Sequence, residues 1–383
     1  MYGLKESNKL FADEVDRVLR AAFFRRVGVG SGFYVQRAPG GGLCMVVVHV
    51  DDFRAASNRQ FLVDLLRTCL IDRFEEITEH AESTQYAGVE TTIDPISKAI
   101  LCTQRKYVAK IARTIGIAHM PRDVLLPCGP DFFELSSSAS DILLADSAAY
   151  MSLTGSLVHA CQTRDDIKDK VSHLCSRNSS PTVGDFAKGI QVLRYLYSTP
   201  HIGRVYDSIS TSIVGFSDSA FMLHRDTGRS STAFFFAVGV NNAPFMSVAK
   251  SQGKVATCPM TSEYMAANAA CKCVVDLRRL LTDLGQLPLK PIELCIDSST
   301  AINLATAPII TRKSRHIDNA HHYIRELVAD HLVTLIHVPA PEMRADIMTK
   351  FLPRKLFLRG RSFLLNSDAF SSIQERALLV NVG

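Results

Sequence analysis

The sequence predicts a multidomain chain that combines α/β and α+β organisation. Three observations point there. β-branched apolar runs of strand length alternate with stretches whose apolar residues recur every three or four positions. Residues 120–145 lose that periodicity and collect Pro121, Pro127, Gly129, Pro130 and a serine run at 136–138, the composition of a linker. From residue 211 onward the pattern reads strand, strand, strand, helix, strand, helix, helix, strand, helix, a mixed sheet with flanking helices. A length of 383 residues is enough for two or three domains with real cores.

Taken in order, residues 43–50 (Leu-Cys-Met-Val-Val-Val-His-Val) form a β-branched run that ends at Asp51 and Asp52 and reads as one arm of a hairpin. Residues 58–74 read as a helix with Phe61, Leu62, Leu65, Leu66, Cys69 and Leu70 on one stripe. A short strand follows at Ile100 to Cys102, then a helix at Lys106 to Ile115. Residues 147–197 are mostly helical, and the Ser-Thr-Pro-His-Ile-Gly segment at 198–203 marks a boundary. Strands are predicted at Ile213 to Asp218, Arg229 to Gly239 and Phe245 to Val248. The helix from Thr261 to Leu284 carries Ala267, Ala270, Cys271, Val274, Leu277, Leu281 and Leu284 at helical steps. Another strand ends at Asp297, and the run Leu332 to Ile336 precedes His337, which reads as structural.

Apolar residues make up 47% of the chain and charged residues 21%, the balance of a folded protein. A net charge of +5 is compatible with a polyanionic partner without arguing for one. Ten cysteines sit scattered in apolar runs, as free thiols do in a reducing compartment. The N-terminus is no signal peptide, and no apolar run reaches the ~18 residues of a membrane span. The expectation is therefore an intracellular chain, in cytoplasm or nucleus, not secreted and without a membrane partner.

Four acids carry the chemistry. Asp218 closes Ile213-Val214-Gly215-Phe216-Ser217-Asp218, and Asp297 closes Ile292-Glu293-Leu294-Cys295-Ile296-Asp297. A strand end lets a side chain leave the sheet while its backbone stays fixed. Glu263 lies four residues before Ala267, hence on the core-facing stripe of its helix, where a carboxylate is costly to bury without a partner or a metal. Asp346 sits in Arg344-Ala345-Asp346-Ile347-Met348-Thr349-Lys350, read as a C-terminal helix. Singly, each has a plainer reading: a strand-end aspartate caps or turns, and a glutamate near a helix start complements the macrodipole. Together the four can hold two hard divalent cations, ~3.5–4 Å apart, which activate a water and stabilise the leaving oxygen of a phosphodiester.

The wording around these acids resembles one family. Gly215-Phe216-Ser217-Asp218, Thr261-Ser262-Glu263-Tyr264-Met265-Ala266, Ile296-Asp297-Ser298-Ser299-Thr300-Ala301-Ile302, Ser314-Arg315-His316-Ile317-Asp318 with His322-Tyr323-Ile324-Arg325-Glu326, and His337-Val338-Pro339 with Ala345-Asp346-Ile347-Met348-Thr349-Lys350 occur in sequence order. The first half agrees through Tyr2-Gly3-Leu4-Lys5-Glu6-Ser7, Val48-His49-Val50-Asp51-Asp52, Tyr86-Ala87-Gly88-Val89-Glu90, Leu153-Thr154-Gly155-Ser156-Leu157 and Leu193-Arg194-Tyr195-Leu196. From residue 2 to about 358 the chain is similar to the C-terminal part of copia-type retrotransposon polyproteins. The resemblance implies a partial reverse transcriptase palm and thumb-like region over 1–120, a linker and helical connection over 121–205, a ribonuclease H-like mixed sheet with flanking helices over 206–350, and a tail over 351–383.

It also implies a function: cleavage of the RNA strand of RNA–DNA hybrids with two Mg2+ (or Mn2+) held by Asp218, Glu263, Asp297 and Asp346. His316 and His322 match family positions, and with Lys313 and Arg315 they either contact substrate phosphates or form a solvated helix start. The partners implied are the hybrid and other parts of a retrotransposon polyprotein. Asp51 and Asp52 match the paired aspartates of the polymerase site, with His49 at the usual aromatic position. The family's third polymerase aspartate lies upstream of Tyr2, so this half reads as vestigial. Several positions depart from the pattern. Thr163-Arg164-Asp165-Asp166-Ile167 has an aspartate where the family has a helix-start proline, Ser219-Ala220-Phe221 replaces a second acid and a tryptophan, the serine run before Glu263 is lost, and tryptophan is absent throughout. Two alternatives stay open: a catalytically inactive product of a decayed element, and a non-catalytic nucleic-acid-binding fragment. The latter needs a continuous basic face built from residues such as Arg312, Lys313, Arg315, Lys350, Arg354 and Lys355.

Overall fold

A computed structural model describes residues 7–28, 31–79, 85–94, 96–134, 142–207, 210, 212–224, 227–239, 241–285, 290–307 and 323–366. Contacts divide the chain into one unit of residues 1–88 with 276–289 and a second of 89–275 with 290–383. The division falls at Gly88, ahead of strands at 89–93 and 100–103 that pair with one another.

In the first unit, helix α1 (Ser7–Ala21) precedes strands β1 (Arg25–Arg26), β2 (Phe33–Ala38), β3 (Gly42–His49) and β4 (Asp52–Ser57), which form an antiparallel sheet in that order. Helix α2 (Gln60–Phe74) and the short β5 (Gln85–Tyr86) follow. Alternation along β3 turns Cys44 and Val46 inward, against Val15 and Leu19 of α1 and Leu62, Leu66 and Leu70 of α2. The buried row of α2 is thus narrower than the predicted stripe: Phe61 is 55% exposed. His49 pairs with Asp52, so Val50 and Asp51 form a two-residue turn. Val50 takes φ 55 there, a left-handed conformation that a β-branched side chain rarely adopts.

The second unit opens with β6 (Val89–Ile93) and β7 (Ile100–Thr103), paired antiparallel, and β7 pairs in turn with β8 (Arg204–Tyr206). Between them lie α3 (Arg105–Thr114), α4 (Ser147–Ala160), α5 (Lys168–Cys175) and α6 (Val183–Ser198). The α6 helix is started by a capping box in which Thr182 and Asp185 satisfy each other's backbone N–H groups. Tyr150, Leu153, Leu157, Leu174, Leu193 and Leu196 form the helical core. The predicted linker is packed where it is described: Phe132 and Phe133 are buried against His173.

Strands β9 (Ile213–His224), β10 (Arg229–Val238), β11 (Pro244–Ser251), β12 (Ile292–Ile296) and β13 (Val333–His337) make a sheet of order β11-β10-β9-β12-β13. The first three are mutually antiparallel, and β12 runs parallel to both β9 and β13. This is a mixed sheet with flanking helices, as the sequence pattern predicted. Its helices are α7 (Pro259–Asp283), α8 (Ser299–Thr306), α9 (Tyr323–Ala329) and α10 (Arg354–Leu365). Val214, Phe216, Ala233, Phe235 and Cys295 share a core with Ile347, Met348 and residues of α4, α5 and α6. Gly215 lies on the opposite face, where a Cβ would meet the Phe236 ring at 2.7 Å and Leu294 at 2.9 Å. That close approach brings β9 and β12 together without a side chain between them. All ten cysteines are free.

Candidate metal centre

Asp218 lies midway along β9, the central strand, and is 1% exposed. The expectation of a strand end is corrected here: β9 continues to His224, because Ser219 and Ala220 still pair with Thr232 and Ser231 of β10. Cys295 of β12 pairs with Phe216, so Asp297, two residues on, comes level with Asp218 on the neighbouring parallel strand. Glu263 comes from the first turns of α7. One oxygen from each of Asp218, Glu263 and Asp297 lies within 4.8 Å of the others. Among the described residues, no other group of three His, Cys, Asp or Glu side chains gathers this closely.

Residues that sequence reasoning did not single out hold these carboxylates. Ser219 Oγ donates to Glu263 Oε1 at 2.9 Å, and Ser262 Oγ donates to Ser219 Oγ at 2.6 Å. Gln252 Nε2 donates to Ser262 O and to Thr232 Oγ1, each at 3.0 Å. On the other side, the Thr349 hydroxyl donates to Asp218 Oδ2. The only forewarning was the position of Ser219, Ser262 and Thr349, each of which adjoins an acid or lies within three residues of one.

Asp346 sits on a single 3-10 turn, Asp346–Met348, rather than on a helix. Three residues cannot propagate a helix before Pro353 intervenes. The turn brings Lys350 back, so that its Nζ lies 2.8 Å from Asp346 Oδ1 and 3.8 Å from Asp218 Oδ2. His337 Nε2 lies 3.1 Å from the backbone oxygen of Asp297, consistent with a structural histidine.

The electrostatics are those of carboxylates short of positive charge. Burial, above all, pushes the Asp218 carboxyl up, with Asp346 and Asp297 adding to it and Lys350 and Thr349 opposing. Burial also raises Glu263, followed by repulsion from Asp218 and Asp297. Burial likewise raises Asp297. Glu263 Oε2 is buried with no hydrogen-bond partner among the described residues. An all-oxygen cluster with a spare buried lone pair suits a hard cation such as Mg2+ or Mn2+.

Asp51 and Asp52 are both exposed at the β3–β4 hairpin of the first unit, and no third acid joins them among the described residues. Lys313, Arg315, His316 and His322 lie outside the described residues.

No family model matches the chain. It is 28% identical over 360 residues to the retrovirus-related Pol polyprotein from transposon RE1 of Arabidopsis thaliana, covering 93% of this chain and 24% of that protein. It is 24% identical to the Pol polyprotein from transposon TNT 1-94 of Nicotiana tabacum, covering 93% of this chain and 27% of that one. The chain thus spans about a quarter of the length of these curated relatives. Among solved structures, a foamy viral protease–reverse transcriptase in complex with an RNA/DNA hybrid is 11% identical and aligns over 92% of this chain and 40% of its own, with a TM-score of 0.48.

Proposed function

With homology to copia-type retrotransposon Pol polyproteins over 93% of its length as the premise, we propose that the β9–β13 sheet and its helices form a ribonuclease H. In this reading it cleaves the RNA strand of RNA–DNA hybrids using Mg2+ or Mn2+. The observation that carries the reading is the meeting of Asp218, Glu263 and Asp297 within 4.8 Å.

Asp218, Glu263 and Asp297 would hold a divalent cation, and Asp346 adds a fourth carboxylate for a second. The cations supply Lewis acidity, lowering the pKa of the attacking water and stabilising the leaving oxygen. The chain itself supplies placement. Ser219 fixes one oxygen of Glu263 and leaves the other free; Thr349 fixes Asp218 from the opposite side. Such partners outside the ligand shell orient ligands and tune their basicity. Phosphate grip is assigned to Lys313, Arg315, His316 and His322. Recognition of the hybrid rests on backbone and 2′-hydroxyl contacts rather than on base edges.

Asp51 and Asp52 do not support nucleotide addition in this proposal, since they stand exposed on a hairpin turn with no third carboxylate among the described residues. The test is cleavage of a hybrid with labelled RNA in Mg2+. The full chain should cut the RNA and leave the DNA intact. Asp297→Asn should lower the rate by at least about 100-fold, because removal of a ligand charge exceeds the loss typical of an outer partner. Asp51→Asn should cut as the wild type does. A well-folded chain that cuts nothing in Mg2+ or Mn2+ decides for an inactive product of a decayed element.

A further inference from the structure

Lys350 is the one basic side chain seen pairing with the acid cluster among the described residues. Its ammonium lies 2.8 Å from Asp346 and 3.8 Å from Asp218, while neither Glu263 nor Asp297 pairs with it directly. The lysine is held there from both directions. Thr349, the preceding residue, is fully buried and donates to Asp218, and Ser231 Oγ donates to the Thr349 backbone oxygen at 3.3 Å. The Lys350 side chain is nonetheless 38% exposed, so it has room to swing away. The cluster is therefore asymmetric in charge: Glu263 and Asp297 have no lysine paired to them among the described residues, whereas the Asp218–Asp346 side already has a positive charge between its acids.

We propose that Lys350 is a tethered cation that occupies the Asp218–Asp346 side of the centre and competes there with the second divalent ion. The inference rests on the metal-centre reading above and deepens it. The free protein then takes up one divalent ion readily, at Asp218, Glu263 and Asp297. A second ion enters only as Lys350 leaves, and an incoming phosphate, by offering the ammonium another anion, favours that exchange. Lys350 is thus a positioning residue that links loading of the second ion to the presence of substrate.

The experiment is Mn2+ titration of the metal-free full chain, reading free Mn2+ by electron paramagnetic resonance. Wild type should bind one ion tightly and a second weakly. Lys350→Gln removes the charge at a partly exposed position and should tighten the second site by about tenfold or more, since a unit charge at contact distance is worth at least that factor. Lys350→Arg, which keeps the charge, should behave as wild type, and Asp346→Asn in the Lys350→Gln background should lose the gain. Equal second-site affinity in wild type and Lys350→Gln, with Asp297→Asn still abolishing the first site, overturns this inference and leaves the metal centre standing. No Mn2+ binding in either protein, or binding indifferent to Asp297→Asn, overturns both. Melting in chelator establishes that each variant is folded.

Discussion

Glu263→Gln should make the metal-free protein more stable, and more so at high pH. Oxygens of three carboxylates lie within 4.8 Å, and two unit charges at that separation repel by about 3 kcal/mol at an effective dielectric near 20. Burial above all, with the two such repulsions that ionised Glu263 would meet, pushes its carboxyl above its ordinary value of 4.5. A carboxyl whose folded pKa exceeds its unfolded one binds more protons when folded. Its contribution is harmless below the unfolded value and turns into a growing loss of stability as pH rises above it. Holding the proton costs about 1.4 kcal/mol per pH unit above 4.5, so the penalty is under about 1 kcal/mol at pH 5 and capped near 5 kcal/mol at pH 8. Repulsion, partly offset by Lys350, limits it to about 2–3 kcal/mol at pH 8. Glutamine has nearly the same shape and no charge. Melting in chelator should therefore show Glu263→Gln above wild type by roughly 5–10 °C at pH 8 and by little at pH 5, at about 2–4 °C per kcal/mol for a unit of this size. Added Mg2+ should reverse the order, because only the wild type gains binding energy. An equal shift at both pH values, or none at pH 8, would refute the electrostatic reasoning.

Two further predictions concern buried charge around α5. Arg204→Met should destabilise by about 3–5 kcal/mol in urea unfolding, because it strips a fully buried carboxylate of its bidentate partner. Arg204 Nε and Nη2 each reach Asp165 at 2.8 Å. Asp165 ionises more readily than usual despite its burial, through Arg204 and Lys168, so this stabilisation is present above the ordinary carboxylate range and fades as pH falls through it; a loss below 1 kcal/mol at pH 7 would contradict the assignment. His173 is buried, with neither ring nitrogen hydrogen-bonded among the described residues, and burial followed by His224 pushes its pKa down to about 4 from 6.5. The unfolded chain takes up that proton first, so stability falls as pH drops from 6.5 toward 4; His173→Phe should remove about 2 kcal/mol of that loss between pH 7 and 4.5, and parallel pH profiles for the two proteins would rule this out.

The acids were legible because each interrupts or ends an apolar pattern: Glu263 breaks the core stripe of α7, and Asp297 follows five residues of strand. Asp218 was misplaced to a strand end because Ser217 and Ser219 flank it, and polar residues on both faces hide the alternation by which a continuing strand announces itself. The supporting hydroxyls of Ser219, Ser262 and Thr349 were invisible for a related reason. A serine or threonine next to an acid is common, and only the fold shows which one donates to it. The turn at Asp346 depends on where Thr349 docks, a contact 131 residues away in sequence. Asp165 looked like a departure from the family's proline; its burial beside Arg204 could not be read from a charged run that resembles surface. Nor could the pairing of β7 with β8, which draws residues 89–114 into the second unit, since β8 lies about a hundred residues further along the chain than β7. Local periodicity reveals strands but not which distant strand completes a sheet.

The proposed function stands on Asp218, Glu263 and Asp297 forming a divalent-cation centre. Anomalous diffraction from a crystal of the full chain soaked in Mn2+ tests it most directly. A strong peak should appear in contact with carboxylate oxygens of all three residues and disappear in Asp297→Asn. A wild-type crystal with Mn2+ bound only elsewhere, or a peak at the centre that survives Asp297→Asn unchanged, would contradict it.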